Sequence, residues 1–447
     1  MTTIKKWVKD VYQTPVHLTG EDYKKGQDFL ILECICGTSM MRLAQGAFIA
    51  GFAKMLGMSQ GLIGIISAIP MLANVIQLLG GIYFGNMTKY KLPVTFASLI
   101  ARTSLGTIYF LPLLFIGNTQ QAISLVLIYA MANFGIAFLN PPLINWIMDL
   151  APESIRGQYF ARREMFTMII AAIGELIIAK MLDIFKIQGV ERLGFNILGI
   201  IVIMWAWMSI VAFSKVKEPI RPEKPKGLKT KEKLVTLFSE SNFKKLAVLY
   251  AIWNFALYIG MLYIAIYMIG DLERSYLYAM VMSMLTLGFR VLSVRLWGKF
   301  LQTHLWSRAI ELGAILLGIA TGLLFFANST TALFILPLSH ILSGIAWGSI
   351  GITFFNLQVM FAPDEARTLY IGTLATISGV VGFTATLGSG FFIDHFSSLH
   401  INILNFTIGN IQIVFLASGI LLALCGIYVK KVIAPMEQKK VGMPNNE

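Results

Sequence analysis

The chain has 447 residues, 56% of them hydrophobic and only 13% charged, with a mean hydropathy of +0.72. A water-soluble domain carries about a quarter of its residues as charges, so that class is excluded. The net charge of +13 would suit nucleic acid, but its distribution along the chain points elsewhere.

Residues 1–27 are polar and basic and are expected to form a cytoplasmic lead-in against the bilayer. Twelve apolar runs follow, each about the twenty residues that a hydrocarbon layer of about 30 Å demands. They fall near 28–53, 60–84, 93–116, 121–148, 160–184, 194–214, 246–269, 276–297, 308–327, 331–358, 368–393 and 409–430, and are termed spans 1 to 12. The first is too long for the core of a cleavable signal peptide and should remain as a membrane helix. The expected divisions are a lead-in at 1–27, a first six-helix half at 28–214 and a basic linker at 215–243. A second six-helix half at 244–431 and a cytoplasmic tail at 432–447, disordered at its end, complete the chain.

Cations crowd the N-terminus, the linker and alternate short loops (Lys89, Lys91, Arg156, Arg162, Arg163, Lys299, Arg308), while the opposite loops are nearly bare. This asymmetry places both termini and the linker in the cytoplasm of a multi-pass inner- or plasma-membrane protein. The linker, with three prolines and many lysines, is too polar for lipid; it is read first as the topology signal itself, and alternatively as a contact for anionic headgroups of the inner leaflet. Cys34, Cys36 and Cys425 all fall inside spans and are read as small packing residues, with neither a disulfide nor a metal site.

An internal repeat organises the rest. NWIMDLAPESIRGQY (145–159) returns as NLQVMFAPDEARTLY (356–370) at an offset of 211 residues, and Asp183 and Phe185 match Asp394 and Phe396 at the same offset. The halves are therefore copies of one unit, and an even number of helices in each makes them parallel, a layout of secondary transporters.

With these residues in hand, the chain resembles the major facilitator superfamily. It is most similar to a bacterial branch with a WMxDLxPExxRGRYFGRR-type loop after helix 4, which reads WIMDLAPESIRGQYFARRE at 146–164. GIAWGSI at 344–350, with the Asn, Pro, Arg and Tyr that follow up to 370, also looks like that branch. The resemblance covers residues 28–430 and implies an all-α fold of twelve transmembrane helices in two parallel six-helix repeats, with spans 1, 4, 7 and 10 lining a central cavity. Two departures stand out. The acid expected in the loop after span 2 is Gly85 here, and Gln302 in the second copy, so the acidic partner is missing or moved, with Asp149 and Glu153 as candidates. Span 5 reads MFTMIIAAIGELIIAK and lacks the GxxxGPxxGG pattern of drug–proton antiporters.

Ionisable groups near a bilayer centre cost about 2.5–3.5 kcal/mol or more and mark function. Arg42 and Glu175 reach similar midplane depth. Arg42 binds an anionic solute group or else pairs with Glu175 to lock two helices; in an exchange of the two, a released Glu175 carries a proton. Thr38, Arg42 and Gln45 are expected on one helical face. His340 is a proton carrier or solute ligand, or a neutral imidazole bonded to a neighbouring helix. Asn254 and Tyr258, with Asn133 and Trp347, suit a partly wet cavity or ordinary interhelical packing. Arg102, Arg290, Glu33 and Glu311 lie near the cytoplasmic face, where snorkelling or pairing explains them, with a cytoplasmic gate as the alternative. Asp149, Glu153, Arg156 and Arg163 in one copy, and Asp364 and Arg367 in the other, are expected as a cytoplasmic gate.

No nucleotide-binding, metalloprotease or Cys/His motif is present, so an enzyme is not expected and no cofactor is implied. The expected activity is secondary transport of a small-molecule substrate, driven by a coupling ion, H+ first. The expected partners are that solute, the ion and membrane lipids, without nucleic acid, and the expected state is a monomer. A lipid or lysolipid flippase and a transporter-like solute sensor are the alternatives.

Overall fold

The computed structural model describes residues 19–85, 87, 89–151, 153–219, 237–363, 367–403 and 406–441. These residues are almost wholly helical. Ten helices among them, from Lys91–Leu114 to Asn410–Val441, are long and apolar enough to cross a bilayer. The two remaining spans are helices interrupted midway, so the chain is a twelve-helix membrane protein.

The interruptions follow from local chemistry. Span 1 is built as Gly20–Leu43 and Gly46–Met55. Ala44 closes the first piece by donating back to Met40 and Met41, and Gly46 then adopts φ +56°, the left-handed region that side chains avoid. Span 2 is Gln60–Ala73 and Ile76–Gly85, with Pro70 withdrawing a backbone donor just before the break. Span 7 is Ser241–Tyr258 and Tyr263–Ile269.

The helix of span 1 begins at Gly20, inside the expected lead-in, because Thr19 and Asp22 form a capping box there. The Lys217 ammonium, at 2.8 Å, and then the Thr19 donors hold the Asp22 carboxyl down at about 2, below its ordinary 3.8. Its contribution is therefore present above the ordinary value and is lost only as pH falls through about 2. At the other end, residues up to Val441 are helical, and only 442–447 of the expected disordered tail lie outside the described residues. An antiparallel hairpin, β1 (His400–Ile403) and β2 (Phe406–Gly409), joins spans 11 and 12 and was not expected from the sequence.

The chain divides into two compact units. One comprises Met1–Met58 and Ala73–Lys226, the other Ser59–Leu72 and Gly227–Glu447, so the chain crosses between them within span 2. The first unit's core centres on Trp146, fully buried, which meets Tyr90 and Phe213 edge-on and donates to the Lys217 carbonyl. The second unit's core gathers Tyr250, Trp253, Phe354 and Tyr370. Both echoed tyrosines are buried in their own unit: Tyr159 donates to the Gln27 carbonyl, and Tyr370 packs edge-on against Phe243 at 4.9 Å.

The repeat extends beyond the echoed motif to backbone contacts between helices. In the first unit a Cβ on Gly199 would lie 2.9 Å from the Gly106 carbonyl oxygen. In the second a Cβ on Gly318 would lie 2.6 Å from that of Gly419. Spans 3 and 6, like spans 9 and 12, thus touch backbone to backbone, which only glycine permits.

Candidate functional site

The break in span 1 positions the first candidate group. Arg42 lies in the last turn of Gly20–Leu43, so its cation sits at the partially negative end of a helix that stops within the membrane. Its Nη1 faces both Glu175 oxygens at 3.3 and 3.4 Å. That is longer than a tight charge-assisted bond of about 2.7–2.9 Å. The burial is unequal as well: the Glu175 side chain is 10% exposed, that of Arg42 35%. A cavity of about 180 Å³ opens beside Glu175, walled by Ser39, Leu43, Gly174, Ile178 and Trp205. The Ser39 hydroxyl is buried with no hydrogen-bond partner among the described residues.

Gln45 does not share the helical face of Arg42. It stands in extended backbone at the break (φ −134°, ψ −179°), because the left-handed Gly46 ends the helical ladder before the third turn of the expected stripe. Asn133 is buried and donates to the Tyr129 carbonyl of its own helix.

In the second unit, Asn254 bridges two helices, donating to the Tyr250 carbonyl at 2.7 Å and to Ser378 Oγ at 2.9 Å. Tyr258 ends its helix, and its carbonyl accepts from the Thr386 hydroxyl. Trp347 meets Trp253 edge-on at 6.2 Å. His340 Nδ1 is 2.8 Å from the Leu336 carbonyl, so its bond is to its own helix and not to a neighbouring one, while its own carbonyl accepts from Thr286.

Among the expected gate residues, Asp149 is exposed at the end of the span 4 helix, and the Arg163 guanidinium lies 5.7 Å from the Phe160 ring centroid. The side chains of Glu153, Arg156 and Arg367 and the whole of Asp364 lie outside the described residues. Arg308 pairs with Glu311 at 2.6 Å, and Glu33 pairs with Arg102 at 2.8 Å while both are 9% exposed. Arg102 also donates to Ser209, which fixes the guanidinium on a third helix.

Three carboxylates have roles that the sequence does not announce. Glu218 accepts from the backbone N–H groups of Tyr90 and Lys91 at 2.8 and 3.3 Å, capping the helix of span 3. Glu437 accepts from those of Trp306 and Ser307 at 3.0 and 2.8 Å, capping span 9. Among the described residues, Glu218 is thus an acid that reaches the corner after span 2 from beyond span 6, and the repeat places an equivalent after span 12. Both are buried. Replacing Glu437 by Ala is expected to cost about 1–2 kcal/mol through two orphaned helix donors, read as a lower unfolding temperature, with Glu437→Gln intermediate.

The third is Asp394. It accepts from Ser59 Oγ at 2.5 Å and from the Gly61 N–H at 2.8 Å, holding the N-terminus of Gln60–Ala73. Gln60 donates to Asp271 at 2.8 Å beside it. A Cβ on Gly61 would collide with the Gly390 carbonyl and the Asp394 carboxyl, so the two backbones meet there. Asp394→Ala should free this segment. Charge-assisted bonds of about 1–2 kcal/mol correspond to roughly five- to thirty-fold faster maleimide labelling of a cysteine placed at Ile65. An unchanged rate would show that the aspartate holds nothing there.

Among the described residues no three His, Cys, Asp or Glu side chains converge as a metal site. The profile of the Major Facilitator Superfamily matches residues 34–386. Among solved structures the chain is similar to the xylose transporter XylE from E. coli (14% identity, 92% of this chain and 99% of that one covered, TM-score 0.63). It is also similar to the nucleoside transporter NupG (13%, 90% and 98%, 0.67) and to an auto-inhibited POT family peptide transporter (11%, 91% and 97%, 0.68). No curated protein matches.

Proposed function

From the premise that the chain belongs to the Major Facilitator Superfamily and is a multi-pass membrane transporter, we propose that it moves a small solute across the cytoplasmic membrane by alternating access, coupled to the proton gradient. The observation that carries this reading is the loose, unequally buried Arg42–Glu175 pair at a helix break. Discontinuous helices inside the membrane are where transporters commonly bind solute and ions.

In the proposed cycle, an anionic group on the solute takes the accessible guanidinium, whose planar fork matches a carboxylate or phosphate. A carboxylate that has lost its cation in a low-dielectric site binds a proton. The cavity beside Glu175, with the Ser39 hydroxyl in its wall, gives the released side chain room to turn. Asn254, Tyr258, His340 and Trp347 are assigned as solute contacts of the second unit, with Gln45 and Asn133 as those of the first. Asp149, Glu153, Arg156, Arg163, Asp364 and Arg367 are assigned to a cytoplasmic gate, and the charge asymmetry of the loops supports termini on that side.

A thermal-shift screen of the purified protein against metabolites, repeated on Arg42→Ala, should return anionic or zwitterionic hits that the variant loses. Those hits should then drive proton-dependent flux in proteoliposomes. Hits indifferent to Arg42, or binding with no flux under an imposed pH gradient, would overturn the reading.

A further inference from the structure

A second groove, on the outer surface of the first unit, lies between spans 1 and 6. Its volume is about 310 Å³, and its walls are Phe29, Leu32, Trp207, Met208 and Val211, with Lys215 at one end. The walls are what a hydrocarbon chain meets: Trp207 is 56% exposed and Val211 55%, on a helix that is otherwise built to cross a bilayer. Lys215 follows directly on the last residue of that helix, Ser214, so it stands where the apolar run ends and headgroups begin. Its ammonium lies 5.3 Å from the Phe29 ring centroid, over the mouth of the groove. Lys217, two residues on, is engaged by Asp22 at 2.8 Å and is not the cation offered to this site.

We propose that this groove is a binding site for one anionic phospholipid of the leaflet facing the termini. An acyl chain fills the space between Leu32, Trp207 and Val211, and the phosphate sits on Lys215. The commitment to a phospholipid rests on two features at once. The groove is apolar along its length and faces the bilayer, so a soluble phosphate would leave it empty. The one charged residue among the groove's described lining is a cation at headgroup level, which favours an anionic headgroup over a zwitterionic one. The Trp207 indole donates to Thr103 Oγ1 at 3.2 Å, so the largest wall of the groove is held in place before any lipid arrives. Assigning the leaflet to the cytoplasmic side rests on the orientation proposed above; the site itself does not.

The test is native mass spectrometry of the detergent-solubilised full chain titrated with phosphatidylglycerol or with phosphatidylcholine of the same acyl chains. The wild type should retain one phosphatidylglycerol more tightly than any phosphatidylcholine. Lys215→Ala should weaken that lipid about fivefold, the effect of about 1 kcal/mol per basic residue near an anionic surface, and Lys215→Arg should keep it. Val211→Trp, which fills the groove and leaves the lysine, should abolish the same tight event. Equal affinity for the two lipids, or no change in either variant, would overturn the proposal. Displacement of the retained phosphatidylglycerol by equimolar glycerol phosphate would overturn it in favour of an anion site, and a shift to a dimer mass on filling or emptying the groove would assign the surface to a second copy of the chain.

Discussion

Arg42→Ala and Glu175→Gln are each expected to lower gradient-coupled transport at least tenfold while leaving the protein folded. The two substitutions act differently. Glu175→Gln keeps the shape of the side chain and removes the exchangeable proton; the remaining guanidinium is 35% exposed and can be hydrated, so little stability should be lost. Arg42→Ala leaves a carboxylate that is 10% exposed without its cation. An isolated buried charge would be costly, but a carboxylic acid can take up a proton instead, which limits the loss. Glu175→Gln should therefore retain solute binding and exchange, and lose the response to a pH gradient. Arg42→Ala should lose binding itself. The measurement is solute uptake and proton uptake in the same proteoliposomes, with unfolding temperature as the folding control. Full coupled transport in both variants would leave the pair as a helix tie with no part in transport.

The fold was legible because its signals are long and redundant. Twelve apolar runs, a basic linker and a repeat at constant offset require no side-chain geometry, only the length of a bilayer and the cost of unpaired backbone within it. The helix breaks were less legible. Periodicity puts Gln45 on the face of Arg42 only in an unbroken helix, and a single left-handed Gly46 cancels that assumption. The Arg42–Glu175 pair could be anticipated from depth alone, since both residues are ionisable and lie about equally far along spans 1 and 5, each entered from the same side. Glu218, Glu437 and Asp394 could not. Each acts on a helix N-terminus that is remote in sequence, and a carboxylate beyond the end of an apolar run looks like any solvated charge. The imperfect spacing hides the pairing of Glu218 and Glu437 further, since they lie eight residues off the 211-residue register. Trp146, Tyr159 and Tyr370, in and beside the echoed motif, are buried core residues. The loop's identity is thus partly a packing requirement, whatever its charged residues do in gating.

The largest loss of stability is expected at a different pair of the same unit. Glu33 and Arg102 are each 9% exposed, 2.8 Å apart, and Arg102 is further fixed by Ser209. Arg102 Nη1 would also lie 3.3 Å from a Cβ on Gly37, so the guanidinium fills the space a larger residue would need. Nothing here resembles the slack of Arg42 and Glu175. Arg102→Ala or Glu33→Ala leaves one charge buried without its partner, and such a break costs about 3–5 kcal/mol. Replacing both with apolar residues of similar volume, Glu33→Leu with Arg102→Met, removes both desolvation penalties and should recover most of that loss. Glu33→Leu and Arg102→Met, made singly and together and compared by denaturant or thermal unfolding in one detergent, form a cycle whose interaction energy reports the pair. A near-additive double variant would mean that the two charges do not depend on each other. The same cycle at Arg42 and Glu175 should return a much smaller coupling, because one partner is hydrated and the contact is longer. A tight pair that can be exchanged for apolar side chains is a structural tie. A loose pair that cannot, although it contributes little to stability, is one whose charges the protein uses.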